Sequence, residues 1–141
     1  TFYRYFPTKE DCLLALIDHT LSDCNDIALG GWDGRTVLTE QIQLRFFRYW
    51  KDQAPLLDAI AANALQHLLL DRTTVIVDRM KQTRPSDSFA RDQLEYFIAQ
   101  GLMATVLRWH HYGFQSSPEE MAAAFGPMLE CSQVSLVRLL L

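Results

Sequence analysis

The residues that most often carry chemistry are few in this chain and poorly grouped. His110 and His111 are adjacent, so on a helix they diverge by about 100° and cannot chelate one ion as an i, i+4 pair would. His19 and His67 stand alone in sequence. The 3 cysteines, Cys12, Cys24 and Cys131, have no metal spacing and no even pairing. Such sparse usage fits a reducing cytoplasm better than a disulfide framework. Gly30-Gly31-Trp32-Asp33-Gly34 reads as a loop, but it lacks the Gly-Lys-Ser/Thr ending of a phosphate cradle. Glu119 and Glu120 follow Ser117-Pro118 and have a complete explanation as helix-capping residues. No Ser/His/Asp or Cys/His set has a supporting motif, so the expectation is a protein that is not an enzyme and needs no metal or cofactor. Asn63 and His67 are the more informative pair. They lie four apart on one expected helix, on a stripe with Leu56, Ile60 and Leu70. Buried polar groups must find partners, which leaves two readings: a hydrogen bond satisfied in the core, or two polar handles that meet a ligand in a cavity. Phe46, Trp50, Met80, Tyr96, Gln100 and Met103 offer the apolar and aromatic wall of such a cavity. Each of these also reads as ordinary core.

Positioning such a wall requires a core, and the composition supplies one. The chain has 141 residues, of which 49% are hydrophobic and 21% charged, which suits a single domain. No apolar run approaches the roughly 18 residues of a membrane span. The formal charge of -4 makes the chain a poor polyphosphate binder, because sequence-independent nucleic-acid binding rests on Lys and Arg. Any nucleic-acid role needs a local basic patch or residues beyond this chain.

The punctuation predicts an all-α protein. Thr8 caps a first helix that carries Leu13, Leu14, Ile17, Leu21, Cys24 and Ala28 on one face and ends near Leu29. A second helix is expected from Thr36 to Lys51, with Leu38, Ile42, Phe46, Tyr49 and Trp50 on one side. Pro55 suits the first turn of a third, which carries Leu57, Ile60, Ala61, Ala64, Leu65 and Leu68. Thr73-Thr74-Val75-Ile76-Val77 is β-branched, but a lone strand would have no partner, so it is read as a short helix. Ser86 is expected to cap a long segment that runs to Tyr112, is apolar nearly all round, and stops at Gly113. The last helix opens at Ser117-Pro118-Glu119-Glu120 and runs to the end, with a kink expected at Gly126-Pro127.

The opening Thr1-Phe2-Tyr3-Arg4-Tyr5-Phe6-Pro7-Thr8-Lys9-Glu10-Asp11-Cys12-Leu13 resembles a boundary found in TetR-family transcriptional regulators, where the DNA-recognition helix ends and the fourth helix begins. It departs from that pattern at Cys12, where the family often has an aliphatic residue. Tyr96-Phe97-Ile98-Ala99-Gln100-Gly101-Leu102, Arg108-Trp109, Gly113-Phe114 and Ser117-Pro118-Glu119-Glu120-Met121 resemble the last two helices of one subgroup of the family's effector domains. Residues 30–95 carry no motif of this kind.

The resemblance implies a division of labour. Residues 1–7 would be the end of the recognition helix, and residues 8–141 an effector-binding and dimerisation domain. Most of the helix-turn-helix, with its base-reading residues, would precede Thr1. Thr1, Tyr3 and Lys9 would then touch operator phosphates, which fixes register without reading sequence. For Tyr3 a small aromatic core, and for Lys9 a solvated surface, are equally ordinary roles. The last two helices would form a dimeric four-helix bundle, with Gly101 and Ala104 allowing close approach and Phe97, Met121, Phe125, Met128 and Leu129 supplying area. The expected function is a ligand-responsive, DNA-binding regulator, a repressor in family terms, with partners that are a second copy, operator DNA and a small, largely apolar effector, and no membrane. The alternative is a helical small-molecule-binding or interaction protein without DNA function.

Overall fold

The computed structural model describes residues 8–30, 38–83 and 88–140, with side chains as far as Glu130. Among these residues it is all-helical, with no strand. Thr1, Tyr3, Thr36 and Ser86, named above, lie outside this description, as does the side chain of Cys131. No helix among the described residues is long and apolar enough to cross a membrane.

Helix α1 spans Lys9–Asp23. Its N-terminus is closed by Thr8, whose Oγ1 accepts from the Asp11 amide at 3.0 Å and donates to Asp11 Oδ2 at 2.8 Å. Glu10 and Asp11 in the first turn suit the positive end of the helix dipole. The buried face holds Leu13, Ile17, Thr20 and Leu21. α1 then widens into a π turn, Cys24–Ala28, closed by the Leu29 amide donating to the Cys24 carbonyl at 3.1 Å. Such single π turns frequently mark functional sites.

Helix α2, Glu40–Lys51, starts later than the periodicity predicts because Thr39 is extended and caps it, accepting from the Ile42 amide at 3.3 Å. It buries Gln43, Phe46, Phe47 and Trp50. Pro55 sits in the first turn of α3, Ala54–Ala62, as expected. The third helix is nevertheless shorter than predicted. The Leu65 amide donates to the Ile60 carbonyl and the Ala64 amide to the Ala61 carbonyl, with Ala64 at a φ of 53°. This is a Schellman ending, closed by an alanine where glycine is usual. A new helix, α4, begins at Gln66 and continues to Thr83. The β-branched run 73–77 is therefore the middle of an 18-residue helix rather than a short helix of its own.

Helix α5 covers Phe89–His111 and is capped by Ser88, which accepts from the Arg91 amide at 3.3 Å. Its end repeats the Schellman pattern, this time with Gly113 at a φ of 74°. Helix α6, Pro118–Leu140, opens on a reciprocal capping box: Ser117 Oγ accepts from the Glu120 amide while Glu120 Oε1 accepts from the Ser117 amide. Pro127 lies inside α6.

α5 packs against α4, and α1 against α4, while α6 lies mainly on α2 and touches α5 only lightly. The last two helices are thus not a closely paired hairpin within the chain. The fully buried centre includes Ile17, Phe47, Trp50, Leu57, Ile60, Leu69 and Val106. α5 is less evenly covered than its sequence predicts: Phe97 is 75% exposed while Ile98, Leu102 and Val106 are buried.

Candidate functional site

A cavity of about 70 Å³ lies where α1, α2, α4 and α5 converge. The end of α1 and the π turn contribute Leu21, Cys24 and Asn25, and α2 contributes Phe46. The opposite wall is made by Thr73, Ile76, Val77 and Met80 of α4, with Ala99, Leu102 and Met103 of α5. The helical spacing explains this wall: Thr73, Val77 and Met80 recur at one-turn intervals, as do Ala99 and Met103. Among the described residues no charged side chain lines it. Thr73 Oγ1 is committed to its own helix, donating to the Leu69 carbonyl at 2.7 Å. Burial pushes the Cys24 thiol up to about 12, a rise that the neighbouring Trp50 side chain opposes, so the thiol stays protonated and unreactive at neutral pH.

Two contacts tie α1 to its neighbours beside the cavity. Arg72 Nε and Nη2 donate to the two carboxylate oxygens of Asp18 at 2.6 and 2.8 Å, a bidentate bridge from α4 to α1. The Tyr49 hydroxyl of α2 donates to the Thr20 carbonyl at 2.9 Å. Both anchors fall within one turn of cavity-lining residues.

Of the residues singled out in the sequence, Phe46, Met80 and Met103 come together on this wall. Trp50, one turn along α2, is fully buried in the adjoining core instead. Tyr96 and Gln100 face the α4–α5 seam. The Tyr96 hydroxyl donates to the Asp78 carboxylate, and Gln100 Nε2 donates to the Leu70 carbonyl and to Thr74 Oγ1. They border an open groove on the outer side of α5, not the cavity. Asn63 and His67 correct the sequence expectation most sharply. The Schellman ending puts them on separate elements, both exposed, and Asn63 Nδ2 donates to its own helix at the Ala59 carbonyl. Neither lines the cavity. The uninterrupted stripe that paired them does not exist, because the chain turns at Ala64.

The other described lining residues, among them Asn25, Thr73, Ile76, Val77 and Ala99, are not in the set expected from the sequence. Leu21 and Cys24 are expected there only as part of a buried face, and nothing in the sequence marks a π turn that brings Asn25 beside them. Thr73, Ile76 and Val77 carry only a β-branched backbone signal.

Lys9 is exposed at the first position of α1. Phe97, Gly101 and Ala104 form an open strip on α5, and Met128 is exposed on α6. Leu129 and Phe125 turn the other way. Leu129 belongs to the core, and the Phe125 ring lies 6.1 Å from that of Phe47, with Met121 half-buried beside the core. These three face the chain's own interior because α6 packs on α2. The histidines are engaged singly, His110 Nε2 with Asp58 Oδ1 at 2.7 Å and His19 with Asp23 at 3.1 Å. Among the described residues no cluster of three or more His, Cys, Asp or Glu is placed to hold a metal.

Comparison with protein-family models, with curated proteins and with solved structures finds no match for this chain.

Proposed function

We propose that this chain is the effector-binding and dimerisation part of a ligand-responsive, TetR-like DNA-binding regulator. One observation carries the reading. The helix that begins at Lys9, within the opening motif, ends in the wall of an apolar cavity. α1 and its π turn run from Lys9 to Ala28, about 30 Å of helix at 1.5 Å per residue. A ligand that enlarges the cavity pushes on Leu21, Cys24 and Asn25 and so displaces the far end of the same rod. In a homodimer that displacement changes the spacing of two recognition helices relative to half-sites about 34–36 Å apart. No bond is made or broken. The exposed Phe97–Gly101–Ala104 strip supports the dimer, because it leaves an apolar helix face uncovered in a single copy.

The test is to express the chain together with the coding sequence upstream of Thr1 and to measure duplex binding over a salt series. The expected result is binding that weakens with salt, with Lys9→Ala lowering the log–log slope by about 0.9. An absence of duplex binding would sink the regulator reading and favour a helical small-molecule-binding protein without DNA function.

A further inference from the structure

The cavity beside the end of α1 has little with which to recognise a polar group. Among the described residues its lining is aliphatic, aromatic or sulfur-bearing except at Thr73 and Asn25. Thr73 has spent its hydroxyl proton on the Leu69 carbonyl. The Cys24 thiol, pushed up to about 12 by burial, offers no charge. Asn25 is only half-buried, on the π turn. A hydroxyl carried from water into such a space forfeits its hydrogen bonds, and a carboxylate forfeits far more. Apolar surface gains from the same transfer. Size is the second constraint. Apolar cavities of about 150 Å³ admit benzene, whereas this one measures about 70 Å³. A ring can therefore enter only where the wall gives way, and the unbranched side chains Met80 and Met103 are the parts of the lining best able to swing aside.

We propose that this cavity takes compact, uncharged aromatic or hydrocarbon ligands by apolar burial alone, with no polar anchor. The inference rests on reading the cavity as the ligand site. It replaces the polar handles expected at Asn63 and His67, which lie elsewhere. A ligand held in this way is selected by the area it buries and the space it fills, not by a hydrogen-bonding head.

The experiment titrates the chain with benzene, phenol and benzoate, three probes built on one ring, and follows the methyl signals of Met80 and Met103 by NMR. The expected result is that benzene shifts both signals. Phenol should bind about tenfold more weakly, because its hydroxyl finds no partner, and benzoate should leave the signals unmoved. Ala99→Leu, which extends a lining side chain into the space, should abolish the benzene shifts, and Ala99→Val should reduce them if leucine disturbs α5. Phenol or benzoate binding as tightly as benzene overturns the apolar recognition but leaves the cavity a ligand site. No shift with any probe, or benzene shifts unchanged in both variants, overturns the cavity as the site and the inference with it.

Discussion

Two regions of this molecule are built on opposite principles. Where α2 meets α6 and the end of α5, rings lock together. Phe46 and Phe47 lie 5.2 Å apart, Phe47 and Trp109 5.8 Å, and Trp109 and Phe114 4.7 Å, all close to perpendicular. Edge-to-face pairs of this kind fix orientation as well as burying area. Where α1 meets α4 and the middle of α5, side chains such as Leu21, Thr73, Val77, Met80, Ala99 and Met103 line a hole, and the ties to α1 beside it are polar, Arg72 to Asp18 and Tyr49 to the Thr20 carbonyl. Dense aromatic packing holds one geometry, whereas methionine and short side chains tolerate several. The difference places rigidity at α2–α6 and compliance beside α1, as the proposed displacement of α1 requires.

The largest expected effect tests the rigid side. Phe47→Ala removes a fully buried ring with three aromatic neighbours and should cost about 3–5 kcal/mol. Met80→Ala, on the cavity wall, should cost less than about 2 kcal/mol, because its site is only half-buried and already borders empty space. Urea denaturation of both variants measures the contrast, and equal losses would erase the distinction between the two regions.

The helix-interior glycines sharpen it. A Cβ on buried Gly126 would meet the Glu40 Cβ at 3.0 Å and Cγ at 3.1 Å, where α6 lies on α2. Gly126→Leu should therefore destabilise by about 1–3 kcal/mol through overpacking. Gly101, on the open strip of α5, has nothing within 4 Å of the same position. In a single copy Gly101→Ala should stabilise by up to about 1 kcal/mol through helix propensity alone. If that strip is the dimer contact, Gly101→Leu should shift sedimentation toward the monomer at fixed concentration. A variant that sediments as the unaltered chain does would move the contact elsewhere.

The same contrast explains what was legible in the sequence. Capping chemistry was: Thr8, Pro55, Gly113 and the Ser117–Glu120 box all act where their residue types put them, because a cap is a local bargain between a side chain and the next turn. Phe46, Met80 and Met103 could be assigned to a wall because large apolar residues at helical spacing face inward. Asn63 and His67 could not be placed, because alanine hides the left-handed turn at Ala64 that glycine would have announced. Asn25 was invisible for a related reason: a π turn changes which residues share a face and has no compositional signature. The packing of α6 on α2, which turned Leu129 inward, is a long-range choice that no local pattern records. Ala64→Gly should raise stability by about 1 kcal/mol, since glycine adopts that φ without the Cβ penalty. A thermal melt showing no gain would mean that the turn is held by something other than its backbone bonds.

The smallest effect concerns two carboxylates, one in each region, that should respond to pH with opposite sign. Glu119, on α6, is hydrogen-bonded by Arg48 at 2.7 Å, and that contact holds its carboxyl below the usual range. A depressed value means that the unfolded chain binds the proton more readily, so Glu119 contributes above the unfolded value and its contribution is lost as pH falls through the folded one. The pair is exposed, so the contribution is slight. Glu95, on α5 near the compliant side, is 7% exposed, and burial raises its carboxyl despite Lys81 nearby. Lys81 lies 3.0 Å from Asp92 but 3.5 Å from Glu95, so the buried carboxylate is the less well compensated of the two. Here the folded state holds the proton more readily, so the cost is absent below the unfolded value and grows as pH rises through the window up to the folded one. Glu95→Gln, which cannot ionise, should therefore gain on the unaltered chain as pH rises above about 4, while Glu119→Gln should fall behind as pH rises toward about 4 and keep a constant, slight deficit above it. Denaturant midpoints of the three proteins from pH of about 3 to 7 measure both slopes. If Glu95→Gln instead loses ground as pH rises, Lys81 outweighs desolvation, and the charged end of the compliant region is held as firmly as the aromatic one.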